Sequence, residues 1–137
     1  MMEICRKLPL NLSGVESIQQ YYESPTPKAL TKKFKNIPSF WNLTLPMLKT
    51  DKGFVPDFSS RFFTEDIPYG ISIIKALALL VNVKTPTIDK IFSWYERMTG
   101  KLYFKADGSF GKDIAETTIP QNFGIDTVEK LKHFYER

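Results

Sequence analysis

One cysteine, one histidine and seven scattered glycines leave little from which several common chemistries could be built. Cys5 has no partner for an internal disulfide. Cys5 and His133 together fall short of the three or four ligands that a zinc site needs. No G-x-G-x-x-G occurs, so no dinucleotide-binding βαβ unit is visible, and no G-x-S-x-G occurs either. The stretch Gly108-Ser109-Phe110-Gly111-Lys112-Asp113 fails as a phosphate loop, because Ala106 stands where a glycine is required and Asp113 where a Ser or Thr is required. Long apolar runs are also lacking. The longest, Ile71 to Val83, is broken by Ser72, Lys75 and Asn82, short of the roughly 18 residues that would span a membrane. The first residues, Met-Met-Glu-Ile-Cys-Arg-Lys, have no long apolar stretch behind them and do not read as a secretory signal. The expectation is a reduced, cytoplasmic protein without a membrane partner.

What is present is aromatic and ordinary in charge. The 137 residues make one domain's worth of chain, long enough to bury a core without metals or disulfides. Aromatic residues make up 14%, which calls for a bulky core or a large buried interface. The net charge of +4 lies wholly in residues 1–56, which carry eight Lys+Arg and four Asp+Glu, against eleven of each in residues 57–137. Lys28, Lys32, Lys33 and Lys35 supply most of it. Such a cluster reads as a solvated helix face; a surface that tracks phosphates gathers more Arg and Lys, so no nucleic-acid partner is expected.

The chain reads as four or five helices with little or no sheet, an all-α, compact multi-helix domain over residues 1–137. Val15, Ile18, Tyr21 and Tyr22 recur at helical spacing. Thr26-Pro27 reads as the cap and first residue of a second helix bearing Ala29, Leu30, Phe34 and Ile37. Residues 36–60 look irregular, with Asp51-Lys52-Gly53 as a turn, yet they hold Phe40, Trp41, Leu43, Leu45, Met47, Leu48, Phe54 and Phe58. A loop that apolar packs against something. Thr64, Glu65 and Asp66 then predict the start of a helix with Pro68 in its first turn; Ile67 to Val81 is apolar nearly all round and predicts a central position. Thr85-Pro86 reads as the cap and first residue of another helix, with Ile88, Ile91, Phe92, Tyr95 and Met98 inward and Gly100 at its end. Tyr103, Phe104, Asp107-Gly108 and Phe110 suggest a small hairpin. Asp126 and Glu129 fit the cap and third residue of a last helix. His133 sits near that helix's C-terminus and reads as a surface residue.

One cluster joins the apolar loop to the central helix: Ser59-Ser60-Arg61-Phe62-Phe63-Thr64-Glu65-Asp66-Ile67-Pro68-Tyr69-Gly70. The Arg61 guanidinium is a planar fork suited to gripping a carboxylate. Asp66, ionised beside a pocket, is suited to orienting a histidine. The same spacing equally fits a charged helix start in which Arg61 pairs with Glu65 or Asp66 on the surface.

At these residues the sequence resembles the C-terminal, α-helical domain of the octopine/nopaline (opine) dehydrogenase family. Arg61-x-x-Thr64-Glu65-Asp66-Ile67-Pro68-Tyr69-Gly70 is similar to the family's hallmark at the start of a long buried helix. Val83-x-Thr85-Pro86-Thr87-Ile88-Asp89 is similar to its second recognisable stretch. Tyr21-Tyr22, Pro27-Lys28-Ala29-Leu30, Phe40 and Pro46 upstream, and Gly111-Lys112-Asp113 and Pro120-Gln121-x-Phe123-Gly124-Ile125 downstream, extend the likeness over most of the chain. The resemblance implies a helical domain like those of 6-phosphogluconate-dehydrogenase-like enzymes. It implies reductive joining of an amino acid to a 2-keto acid with NADH or NADPH, and the reverse, in a cleft between this domain and an N-terminal Rossmann domain. It implies that Arg61 binds a substrate carboxylate and that Asp66 is catalytic, pairing with the histidine that acts as general acid and base.

The departures are large. No histidine precedes residue 133, and no cofactor domain is present. The chain is therefore expected to be a C-terminal piece that alone neither binds NAD(H) nor turns over substrate. Its expected partners are the missing Rossmann domain, amino-acid and 2-keto-acid substrates in the whole enzyme, and a second copy in a homodimer, with surplus apolar surface around Trp41, Phe54, Phe58 and Phe62. A non-catalytic helical binding module is the alternative. The helical domain of a ketopantoate-reductase relative is a third reading, which the Thr-Glu-Asp-Ile-Pro-Tyr-Gly block disfavours.

Overall fold

The computed structural model describes residues 1–136. In chain order the elements are α1 (Met2–Lys7), α2 (Ile18–Tyr21), α3 (Pro27–Lys35), α4 (Pro38–Trp41), β1 (Met47–Thr50), β2 (Gly53–Pro56), α5 (Arg61–Thr64), a π turn (Ile67–Ile71), α6 (Ser72–Leu80), α7 (Pro86–Thr99) and α8 (Val128–Tyr135). Short 3₁₀ turns at Ile114–Glu116 and Pro120–Phe123 precede α8. The fold is mostly helical, as expected, with one two-stranded sheet. The chain divides into two compact units, one holding Glu3–Leu10 and the chain from Phe58 onward, the other holding Asn11–Asp57.

The larger unit carries the core. Phe63, Ile67, Ala76, Phe92, Tyr95, Tyr103, Phe104 and Ile119 are all buried together. Phe58 and Trp94 lie against Phe63, with ring centroids 4.8 and 6.0 Å away, and Tyr95 stacks on Tyr103 at 6.1 Å. Such ring pairs add to the burial of their area. α7 begins at Pro86 and stops at Gly100, whose φ of 74° is the left-handed conformation that glycine adopts without strain. Phe104 and Phe110 form an isolated antiparallel bridge, the expected excursion reduced to one pair. The central segment differs from expectation. α5 starts at Arg61, ahead of the Thr64-Glu65-Asp66 cap read from the sequence, and Pro68 falls inside the π turn. α6 buries Ser72, Lys75, Ala76 and Ala78, while its large aliphatic residues are half-buried. Small residues allow the close approach at the buried face; bulk sits at its margins. α8 is capped by Thr127, whose hydroxyl accepts from the Lys130 N–H at 3.2 Å; Asp126 instead pairs with Lys130 Nζ at 2.7 Å.

In the smaller unit, Ser17 and Gln20 form a capping box at α2. The Thr26 hydroxyl accepts from the Ala29 N–H at 3.1 Å, with Pro27 first in α3. Tyr22, Phe34 and Phe40 meet edge to face. The stretch read as irregular holds α4 and an antiparallel ribbon, in which Met47 faces Pro56, Leu48 faces Val55 and Lys49 faces Phe54. Both faces of the ribbon are exposed.

Candidate functional site

The site read from the sequence is built on the junction of α5, the π turn and α6. α5 is one turn long and cannot hold itself in place by backbone bonding. Phe63 anchors it: the ring is buried among Phe58, Trp94 and Tyr95. Arg61 opens the turn on the opposite, solvent side. Its Nη2 donates to Glu65 Oε2 at 3.1 Å, with 79% and 54% of the two side chains exposed. Asp66 is also exposed, and among the described residues its carboxylate makes no hydrogen bond or ion pair. The structure thus joins Arg61 to Glu65, the surface pairing that the spacing allowed. Arg61 and Asp66 are both left open to solvent at the head of the π turn.

Immediately after Asp66 the chain turns inward. Ile67 and Pro68 are buried, and the Tyr69 N–H bonds to Glu65 O at 2.9 Å. The Ser72 N–H reaches Ile67 O, and the Ser72 hydroxyl donates to the same oxygen at 2.7 Å. One turn further on, Lys75 is buried. Its ammonium contacts Asp89 Oδ1 at 2.7 Å and donates to Thr85 Oγ1 at 3.0 Å. The Thr85 hydroxyl is thereby taken up by Lys75 and makes no cap bond to α7. This gives the Thr85-Pro86-x-Ile88-Asp89 stretch a physical role: it cradles a buried cation at the start of α7. Sequence reasoning missed this, taking Lys75 only as a break in an apolar run. A lysine inside an otherwise apolar helical stretch was the available signal.

Burial, more than any charge, raises Tyr95 and Tyr103 above the ordinary tyrosine value; for Tyr103 the neighbouring Tyr95 and Glu116 add to it. The Tyr103 hydroxyl donates to Glu116 Oε2 at 3.5 Å. His133 is exposed in the last turn of α8, as expected. No three His, Cys, Asp or Glu side chains come together in a metal-binding group among the described residues. The only sheet among them is an antiparallel ribbon, so they contain no strand-turn-helix phosphate cradle for a dinucleotide. No helix among them is long and apolar enough to cross a membrane. Of the apolar residues expected on the surface, Trp41 and Phe54 are exposed. Phe58 and Phe62 are half-buried against the core, because the Phe58 ring is needed to complete the aromatic cluster around Phe63.

Comparisons with known proteins agree with this architecture. The family described as "NAD/NADP octopine/nopaline dehydrogenase, alpha-helical domain" matches residues 1–99. Tauropine dehydrogenase of Arabella iricolor is 36% identical over 129 residues, covering 89% of this chain and 32% of that protein. Opine dehydrogenase of Haliotis discus hannai is 35% identical, covering 92% of this chain and 33% of that protein. The solved octopine dehydrogenase with NADH and L-arginine superposes with a TM-score of 0.78 at 32% identity, covering 95% of this chain and 35% of that one. The complex of octopine dehydrogenase with NADH and agmatine gives a TM-score of 0.79 at 28% identity, with the same coverage. This chain spans about a third of the length of these relatives. By fold, by the residues around Arg61 and Asp66, and by this likeness, the chain belongs to the octopine/nopaline dehydrogenase alpha-helical-domain family.

Proposed function

We propose that this chain is the substrate-binding third of an opine-type dehydrogenase, which joins an amino acid to a 2-keto acid by NADH- or NADPH-dependent reduction and runs the reverse oxidation. The observation that carries it is that the Arg61 guanidinium, held only by an exposed Glu65, and the Asp66 carboxylate five residues on are both open to solvent on a turn anchored by Phe63. Arg61 binds the carboxylate of the keto acid. Its present partner, Glu65, is easily exchanged, since an exposed i,i+4 pair contributes only about 0.3–0.5 kcal/mol. Asp66 orients and supports the imidazolium of a histidine outside this chain, which delivers a proton to the nitrogen as the imine is reduced. The nicotinamide, when bound, supplies the hydride. It is held mainly by the part of the enzyme that this chain does not contain, and this chain alone neither binds it nor turns over substrate. The enzyme works in the cytoplasm, and its partners are the dinucleotide-binding part and, through the exposed Trp41 and Phe54, a second copy.

The test is a hybrid in which this chain replaces the corresponding third of the Haliotis opine dehydrogenase. NADH consumption is followed with pairs of amino acid and keto acid. Turnover is expected, with Asp66→Asn lowering kcat about a hundredfold and Arg61→Ala acting chiefly on the KM of the keto acid. A folded hybrid that binds NADH and turns over no pair overturns the reading.

A further inference from the structure

We propose that Ser72 is a positioning residue for Asp66: its buried hydroxyl holds the π turn whose extra residue sets the direction in which Asp66 projects. This rests on the role given to Asp66 above. In a regular α-helix the residue-72 amide would bond to the carbonyl of Pro68; here it bonds to that of Ile67, one residue further back. The Ser72 hydroxyl donates to the same oxygen at 2.7 Å. Ser72 is 0% exposed in a helix otherwise made of alanine, leucine, isoleucine and one lysine. A hydroxyl so placed is costly unless it is bonded, and the Ile67 carbonyl is its partner.

The widening is confined to one place. The Tyr69 N–H still bonds to Glu65 O at 2.9 Å, in the ordinary α register, and Pro68 has no N–H to give. The wider register begins after it, where the Ile67 carbonyl is satisfied by both donors of Ser72. The geometric consequence falls on Asp66. One residue of helix is worth about 100° of rotation. Closing the turn as α would therefore swing Asp66, and Arg61 before it, about that far around the axis of α6. α6 itself is a fixed frame: Lys75 ties it to Thr85 and Asp89, and Gln121 Nε2 donates to Ala76 O at 3.2 Å. The π turn is therefore where the direction of the acidic side chain is decided, and Ser72 is the polar side chain buried within reach of it.

Three substitutions separate bonding from space-filling. Ser72→Ala removes the hydroxyl, Ser72→Cys fills its space with a poor donor, and Ser72→Thr keeps it. In the hybrid enzyme, Ala and Cys are expected to lower kcat about tenfold or more and, because Arg61 moves with Asp66, to raise the KM of the keto acid as well; Thr is expected to retain most of the parent kcat and KM. In the isotope-labelled full chain, the scalar coupling across the hydrogen bond from the residue-72 amide to the Ile67 carbonyl is expected in the parent and in Thr, and lost in Ala and Cys. If Ala fails to fold, Cys carries the test. A parent-like kcat in Cys would show that Ser72 only fills space. Parent-like kcat in all three, with Asp66→Asn still impaired, would overturn the proposal and leave the role of Asp66 standing. An unimpaired Asp66→Asn would remove that role, and this proposal with it.

Discussion

Lys75 Nζ lies 2.7 Å from Asp89 Oδ1, and only 7% of the lysine side chain reaches solvent, against 49% for the aspartate. The pair joins α6 to the first turn of α7. Its two halves are not equivalent. Removing Asp89 leaves a buried ammonium with Thr85 alone, whereas replacing Lys75 by an apolar chain of similar length leaves a half-exposed carboxylate that water can serve. Asp89→Ala is therefore expected to destabilise the fold by about 2 kcal/mol, and Lys75→Met by distinctly less. Urea melts of the two variants check the order, and equal losses would contradict it.

Gly111 is a second tight point. A Cβ there would stand 2.1 Å from the Leu102 carbonyl oxygen, a backbone atom that cannot step aside. Around it, the Gly111 N–H bonds to Tyr103 O at 2.8 Å and the Leu102 N–H bonds to Asp113 Oδ2 at 2.7 Å. Gly111→Ala must break this approach and is expected to cost about 3 kcal/mol. Gly14→Ala, where nothing lies within 4 Å, serves as the control in the same thermal melt.

The parts of the fold legible in the sequence are those decided within a few residues. Thr26-Pro27 capped α3, Pro86 opened α7 and Gly100 closed it, because each signal is a local hydrogen bond or a local dihedral preference; the cap expected of Thr85 did not form, its hydroxyl being bound by Lys75 from another helix. The ribbon at 47–56 was not legible: its residues are apolar on both faces, so no alternation marks a strand. The π turn was missed because Pro68 is equally at home in the first turn of an ordinary helix. Arg61, Glu65 and Asp66 could be singled out as a group, and the acid that faces the guanidinium is the one at i,i+4, Glu65, because α5 keeps the ordinary helical register up to that residue. Likewise Asp126 and Thr127 are both good caps, and the choice between them is made by the Lys130 side chain, which takes Asp126 for itself.

Tyr95 and Tyr103 make the fold sensitive to alkali. Both phenols ionise above their ordinary value of 10, first because burial penalises the phenolate. The folded state thus favours the protonated form more than the unfolded state does. That stabilisation is complete below pH 10 and is lost as the pH rises beyond it. Absorbance titration should show two of the six tyrosines ionising late, together with loss of helical circular dichroism. Tyr103→Phe is expected to shift alkaline unfolding to higher pH; an unchanged midpoint would refute the assignment.

The exposed ribbon sets the behaviour of the chain in solution. A two-stranded ribbon uncovered on both faces is marginal alone, and Leu48, Val55, Phe54 and Met47 all lie on its surface, with Trp41 exposed on α4 nearby in sequence. Concentration-dependent association is expected on gel filtration. The double change Trp41→Gln, Phe54→Ser should return the chain towards a monomer; neither side chain belongs to the core, and the folded chain gives up only the Trp41 indole hydrogen bond to Lys35 O at 2.8 Å. A parent chain that is monomeric at every concentration would count against this.

The Arg61–Glu65 contact predicts a competition. On the role proposed for Arg61, Glu65 occupies the guanidinium that a substrate carboxylate has to reach, at 3.1 Å and in the open. An exposed i,i+4 pair contributes about 0.3–0.5 kcal/mol, so freeing Arg61 from it can tighten carboxylate binding by no more than about twofold. Glu65→Gln in the hybrid enzyme is expected to lower the KM of the keto acid by about that factor, with kcat unchanged. The effect should fade at high salt, where the pair is already screened. Arg61→Lys keeps the charge but loses the planar fork, and is expected to raise the same KM. If Glu65→Gln raised the KM instead, Glu65 would be holding Arg61 in its productive orientation rather than competing for it, and the substrate carboxylate would have to bind with the pair intact.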